Sequence, residues 1–199
     1  MARTTQRMTA LLASGTLAAG MGLAGAPLAS ADGPDTSAQV LAANEDAQWP
    51  EYRQNTMGWN LSVAKFSLWE IGYYEPSATL DDRFGEKEVE ALMDYQQATD
   101  LKVTGVLDAR SWEFLSEDVG VLSQGDTGPA VSAVQVALHE KHGYDLSGDG
   151  YQRFAPEAGT FGQATHDAVV AFQEDAGIDA DGEVGPITYK ALVVTQGND

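Results

Sequence analysis

The chain repeats itself, and that repeat constrains its fold more than any composition does. RFGEKEVEALMDYQ, Arg83 to Gln96, and TFGQATHDAVVAFQ, Thr160 to Gln173, share a Phe-Gly opening, a helical run and an aromatic-Gln close, 77 residues apart. The correspondence extends to both sides. Leu61 and Val131 differ by 70, Gly72 and Gly143 by 71, and from Phe84 and Phe161 to Leu115 and Leu192 the offset stays at 77. The later copy therefore has one extra residue where its first helix ends and six more in the loop containing SGDGYQRF. Insertions confined to loops, with helix spacing kept, mark a duplicated folding unit.

Each copy reads as three helices. In the later one Thr165, Ala168, Val169, Phe172 and Ala176 recur at spacings of three and four, and Gly177 ends the run. Upstream, Pro129 suits a first helical position, Val131, Val134 and Leu138 share a face, and Gly143 is a stop. Downstream, Asp181-Gly182 turns the chain and Pro186 begins a short helix with Thr188, Ala191 and Leu192 on one side. The earlier copy follows with Leu61, Ala64, Leu68 and Ile71, then Glu88, Ala91, Leu92 and Tyr95, then Asp108 capping a helix that contains Ser111 and Leu115. The expectation is an all-α chain of two tandem small three-helix bundles with short loops, over residues 49–116 and 117–199. Phe84 and Phe161 are expected to plug the two cores, with Gly85 and Gly162 allowing tight turns behind them. Units of roughly sixty to seventy residues sit near the lower limit for a self-sufficient core, which favours packing of one on the other. Residues from about Val121 onward contain all three stripes of the later copy and are expected to fold alone.

Ahead of the repeat, residues 1–31 read as a secretory signal peptide: a cationic MARTTQR, an apolar run from Met8 to Leu28, and a small-x-small Ala29-Ser30-Ala31. A retained anchor is the alternative, weakened by the Gly, Ser and Thr that dilute the run. Residues 32–48, polar and rich in small side chains, are expected to form a flexible leader. The chain has no cysteine, and so no disulfide framework, which fits bacterial export better than a eukaryotic secreted protein of small domains. Its formal charge is −19; loss of Arg3 and Arg7 with the signal leaves nine Lys and Arg against thirty Asp and Glu, or −21. Such a surface repels phosphate backbones and anionic bilayers, which sets aside nucleic acid and, after signal cleavage, membrane as partners.

Catalytic signals are weak. HEKH, His139 to His142, places its imidazoles at i and i+3, where a zinc-protease helix needs i and i+4 with glutamate as base. Asp179, Asp181 and Glu183 suggest calcium, but Val184 stands where an EF-hand loop needs glycine and Lys190 where it needs its last glutamate. There is no GxSxG and no cysteine nucleophile. No metal, no cofactor and no enzymatic activity are expected.

The residues assembled above resemble the three-helix peptidoglycan-binding domain of bacteria, often found beside cell-wall hydrolases. The later copy carries the pattern at Gly125, Gly128, Val131, Gln135, Leu138, Gly143, Tyr144, Gly159, Phe161, Gly162, Thr165, Phe172, Gln173, Asp181, Gly182, Val184, Gly185 and Thr188, departing at Ala158, where the pattern has Asp. The earlier copy is looser, with Lys65 where glutamine is usual, Glu88 where threonine is usual and Thr104 for the second-loop Asp. The resemblance implies a secreted, cell-wall-associated, non-catalytic binder of peptidoglycan acting chiefly through its later module. The alternative is an exported interaction module that binds or regulates another secreted protein, such as a cell-wall hydrolase.

Peptidoglycan presents sugar faces, which stack on aromatics, and peptide stems, which need hydrogen-bond donors. Gln135, Tyr144, Thr165, Gln173 and Trp59 are the candidate ligand contacts, Trp59 because it precedes its helix and is expected to be exposed. A glutamine at a helix boundary has a competing use, bonding to a loop carbonyl. Trp112 and Tyr189, at equivalent core-facing positions, are expected to be buried.

Overall fold

The computed structural model describes residues 35–76, 81–151 and 159–195; the segment read as a signal peptide lies outside them. The fold is all-α apart from one two-stranded ribbon. Helix α1 spans Ala38–Asp46; α2 (Asn60–Glu70), α3 (Glu86–Ala98) and α4 (Ala109–Val119) form the earlier module. In the later module α5 (Pro129–Val136), α6 (Gln163–Ala176) and α7 (Pro186–Val194) repeat them, with strands β1 (Thr127–Gly128) and β2 (Gly159–Thr160) flanking α5 and its following loop.

The duplication reaches the backbone pairing. Thr127 pairs antiparallel with Thr160 as Met57 pairs with Arg83, and Leu122 bridges Val184 as Tyr52 bridges Leu107. The single extra residue ending the later first helix also has a structural form: α5 runs on as a π-helical turn, Ala137–Lys141. In the earlier module the Tyr73 N–H reaches back five residues to the Leu68 carbonyl, at 2.9 Å; in the later, the Tyr144 N–H reaches back six to Leu138, at 3.0 Å. A π turn takes in one more residue without moving the helix that precedes it.

Phe84 and Phe161 are buried, at 1% and 0% exposure, as plugs should be. Gly85 and Gly162 serve differently from expectation. Their φ values, −87° and −89°, suit any residue. A Cβ on Gly162 would instead lie 2.2 Å from an Asp149 carboxylate oxygen, so glycine is needed there for close approach.

The two modules share a core. Every residue from Asn60 to Leu68 on α2 and from Ala130 to Val136 on α5 is buried. One apolar stripe per helix cannot account for that; Val63, Phe66, Ala133 and Val136, outside the stripes, are covered as well. A helix buried all round belongs at the centre of a larger body. Here α2 and α5 pack on each other, and α4 meets α7, so equivalent helices of the two copies face one another. They run antiparallel: Glu70, ending α2, accepts from the Ala130 N–H opening α5, while Lys141, past α5, lies over Trp59, just ahead of α2. Between the modules the Tyr189 hydroxyl lies 2.6 Å from Ser67 Oγ, which itself donates to the Val63 carbonyl, so tyrosine is the donor. Separating the modules would uncover one whole side of α5, which bears directly on the expectation that the later one folds alone.

The leader also departs from expectation. Within 32–48, residues 38–46 form α1, capped by Ser37 and packed on α7. Asn44 donates to the Ile187 carbonyl at 3.1 Å, and Lys190 donates to the Glu45 carbonyl at 3.0 Å. Thr36 Oγ1 accepts from the Asp179 N–H at 2.9 Å. Its weakly amphipathic sequence gives little sign of a helix; tertiary contacts with the later module hold it. Among the described residues no helix is long and apolar enough to cross a membrane.

Candidate functional site

Gln173 is fully buried at the end of α6. Its amide nitrogen donates to the Glu183 carbonyl (2.8 Å), Asp181 Oδ1 (2.9 Å) and Thr188 Oγ1 (3.1 Å), and its amide oxygen accepts from the Gly182 N–H (2.9 Å). Gln96 does the same in the earlier module, donating to Val106 O (3.0 Å) and Ser111 Oγ (2.9 Å) and accepting from the Thr104 and Gly105 N–H groups (2.9 and 3.0 Å). One side chain thus satisfies the buried polar groups of the loop joining second and third helices, a requirement of any tight loop packed against a core.

Gln135, 2% exposed, holds the other loop by donating to the Thr160 carbonyl and to Thr165 Oγ1, each at 2.9 Å. Thr165 then donates its hydroxyl proton to Asp149 Oδ2 at 2.6 Å. Asp149, on the inserted loop, also accepts from the Thr165 and Ala164 N–H groups, at 2.7 and 3.1 Å, and so caps α6. Burial would raise the Asp149 carboxyl, but the bonds from Thr165, with those from Ala164 and Gly162, outweigh it and hold it below the usual carboxylate value. Of the expected ligand contacts, Gln135, Thr165 and Gln173 are buried, and their polar atoms are engaged by loops.

In the earlier module Lys65 and Glu88 stand at the positions of Gln135 and Thr165. Lys65, 1% exposed, donates to the Asp81 carbonyl (2.7 Å) and carboxylate (2.9 Å) and lies 3.4 Å from Glu88. Glu88 accepts from the Tyr74 hydroxyl at 2.7 Å and from the Gly85 N–H at 2.9 Å. Two departures from the family pattern thus compensate each other in space. Glu88 supplies both the core partner and the helix cap, tasks the later module divides between Thr165 and Asp149.

The surface candidates are Tyr144 and Trp59, both partly exposed. The Tyr144 hydroxyl donates to Asp175 at 3.2 Å; burial, then that carboxylate, push the phenol up to about 12, so it remains a donor at neutral pH. The two HEKH imidazoles are fasteners of the π turn. His139 Nδ1 donates to the Tyr144 carbonyl at 2.7 Å and His142 Nε2 to the Leu192 carbonyl at 3.1 Å, while burial holds His142 below its ordinary pKa. Among the described residues no group of three or more His, Cys, Asp or Glu is placed to hold a metal ion.

Trp59 lines a cleft of about 320 Å³ where the modules meet, with Gln48, Tyr52 and Asn60 on one side and Lys141 and Thr195 on the other. Tyr52 donates to Asn60 Oδ1, fixing both, and the Lys141 ammonium lies 5.7 Å from the Trp59 ring centroid. Lys141 drew notice in the sequence only as part of HEKH; a cation in so acidic a chain was the usable signal. A second cleft of about 320 Å³ lies between α1, α4 and α7. It holds Trp49, stacked on buried Trp112 at 5.5 Å, together with Glu45, Glu113, Glu117 and Lys190. Trp112 donates its indole N–H to the Pro50 carbonyl at 2.9 Å.

Comparison with known proteins agrees with this internal symmetry. A family model described as "putative peptidoglycan binding domain" matches residues 64–115 and again 127–192, together more than half of the chain. No curated protein and no solved structure matches it. Each matched region runs from the first helix of a module to its third, taking in the glutamine that clasps the loop between the last two. The chain belongs to the peptidoglycan-binding domain family and carries that domain twice, in tandem.

Proposed function

We propose that the protein is an exported, non-catalytic binder of bacterial peptidoglycan. The observation that carries this reading is the double family match laid over two complete three-helix scaffolds. A mature charge of −21 argues that attachment to an anionic wall rests on hydrogen bonds and stacking, since long-range attraction is absent and added salt would only screen repulsion. Tyr144 and Trp59 are the candidates of the sequence that keep accessible surface for a ligand, and the later module's Tyr144 holds its donor at neutral pH.

The test is sedimentation of the mature protein with purified insoluble sacculi at low and high salt, with and without EDTA, while turbidity is followed. Pelleting that survives chelation and salt, at constant turbidity, is expected. Falling turbidity would mean hydrolysis, and failure to pellet under every condition would turn attention to a secreted protein partner.

A further inference from the structure

The two junctions between the antiparallel first helices are equivalent by the repeat but differ in their chemistry. At one, the Glu70 carboxylate accepts from the Ala130 N–H at 3.0 Å and also fills the space beside Gly128, where a Cβ would lie 2.7 Å from its oxygen. At the other, the corresponding ends of α2 and α5 leave the cleft of Trp59 and Lys141.

The electrostatics of this cleft differ from those of the acidic cleft between α1, α4 and α7. Thirty Asp and Glu are spread over the chain, and the cleft between α1, α4 and α7 takes in three of them, yet among the described residues no acid lines the junction cleft. Among the described residues its one charged group is Lys141, which makes no ion pair there and rests over the indole instead. An ammonium so placed is available to form a charge-assisted hydrogen bond with an incoming anion. The Trp59 ring offers a flat apolar face beside it, and Tyr52, Asn60 and Gln48 add polar atoms along one wall. The volume, about 320 Å³, is at the small end for ligand sites and suits a single sugar ring with the first part of a peptide, not a glycan strand.

Resting on the wall-binding reading, we infer that the junction cleft is the ligand site: a sugar ring stacks on Trp59 and a carboxylate of the attached peptide stem pairs with Lys141. Because Trp59 comes from the earlier module and Lys141 from the later, the site exists only when both modules are joined. This gives the duplication a function beyond raising avidity.

The experiment uses the full mature chain, with pelleting on purified sacculi and titration against soluble disaccharide peptides whose stem carboxylates are either free or amidated. Lys141→Gln, a change at a partly exposed side chain, should leave the thermal melt in place and weaken binding of the free-carboxylate ligand about tenfold, the scale of one charge-assisted hydrogen bond. It should leave the weaker binding of the amidated ligand unchanged. Trp59→Ala should remove binding of both, and Trp59→Phe should restore part of it. Wild-type pelleting with Lys141→Gln and Trp59→Ala equal to wild type would overturn the cleft and leave wall binding standing. Equal loss for free and amidated stems in Lys141→Gln would overturn the carboxylate assignment. Absence of pelleting by the wild type would remove the wall-binding reading itself and this inference with it.

Discussion

At the same depth in the same fold, the earlier module holds a charged cluster, Lys65 with Asp81 and Glu88, where the later holds neutral Gln135 and Thr165. The positions are related by the repeat and the contacts are conserved in place, but the chemistry has changed. The shared requirement is complementarity: a buried donor on the first helix must meet an acceptor on the second, or the unpaired group carries its full desolvation cost. Lys65 extends further and reaches Asp81 as well, while Gln135 stops at Thr160 and Thr165. A duplicated scaffold can therefore diverge at two sites together where it could not at one.

Cutting the chain in the segment before Val121 gives the severest test of how far the halves are separate. With α2 and α5 each buried on every side in the joined protein, the 121–199 fragment should melt without the sharp transition of the intact chain, by circular dichroism. A fragment as cooperative and stable as the whole would restore the picture of independent beads.

Lys65→Met, which leaves Glu88 without its cation, should cost about 3–5 kcal/mol in urea unfolding of the intact chain. The double change Lys65→Gln with Glu88→Thr copies the later module's pair and should recover most of that loss. A deficit of about 1 kcal/mol should remain, because α3 would lose the cap from Glu88 and has no counterpart of Asp149 to replace it. Full recovery would mean that the cap at Gly85 contributes nothing; no recovery would mean that the two pairs are not interchangeable.

The smallest effect concerns His142, whose place in the earlier module is held by Ile71. Burial lowers the folded-state pKa of His142 from its ordinary 6.5. A group depressed in this way supports the fold above its unfolded value, and that support is lost as pH falls from 6.5 through the lowered folded value. The melting temperature should drop by a few degrees across this window in the wild type, and His142→Ile should flatten that part of the profile. An unchanged slope in the variant would assign the pH dependence elsewhere.

Much of the site's scaffold was legible because it repeats: the Phe plugs, the helix stripes and the extra residue before Gly143 all follow from three offsets. The roles of Gln135, Thr165 and Gln173 were less so. A donor side chain at a helix boundary looks the same whether it serves a ligand or a loop, and only the position of the backbone groups of Thr160, Gly182 and Glu183 decides. Likewise Lys65 and Glu88 look like decay until they are seen 3.4 Å apart.

By itself the sequence determined two three-helix units and their family, since local periodicity and the spacing of Gly, Phe and Gln encode short-range geometry. Only the tertiary structure decided that the units share one core, that residues 38–46 are helical against α7, and that Trp59 and Lys141 meet across a cleft. Those outcomes depend on contacts between segments tens of residues apart. Such contacts arise from which helix faces bury each other, and a pattern of small and apolar residues on α2 and α5 permits that burial without naming the partner.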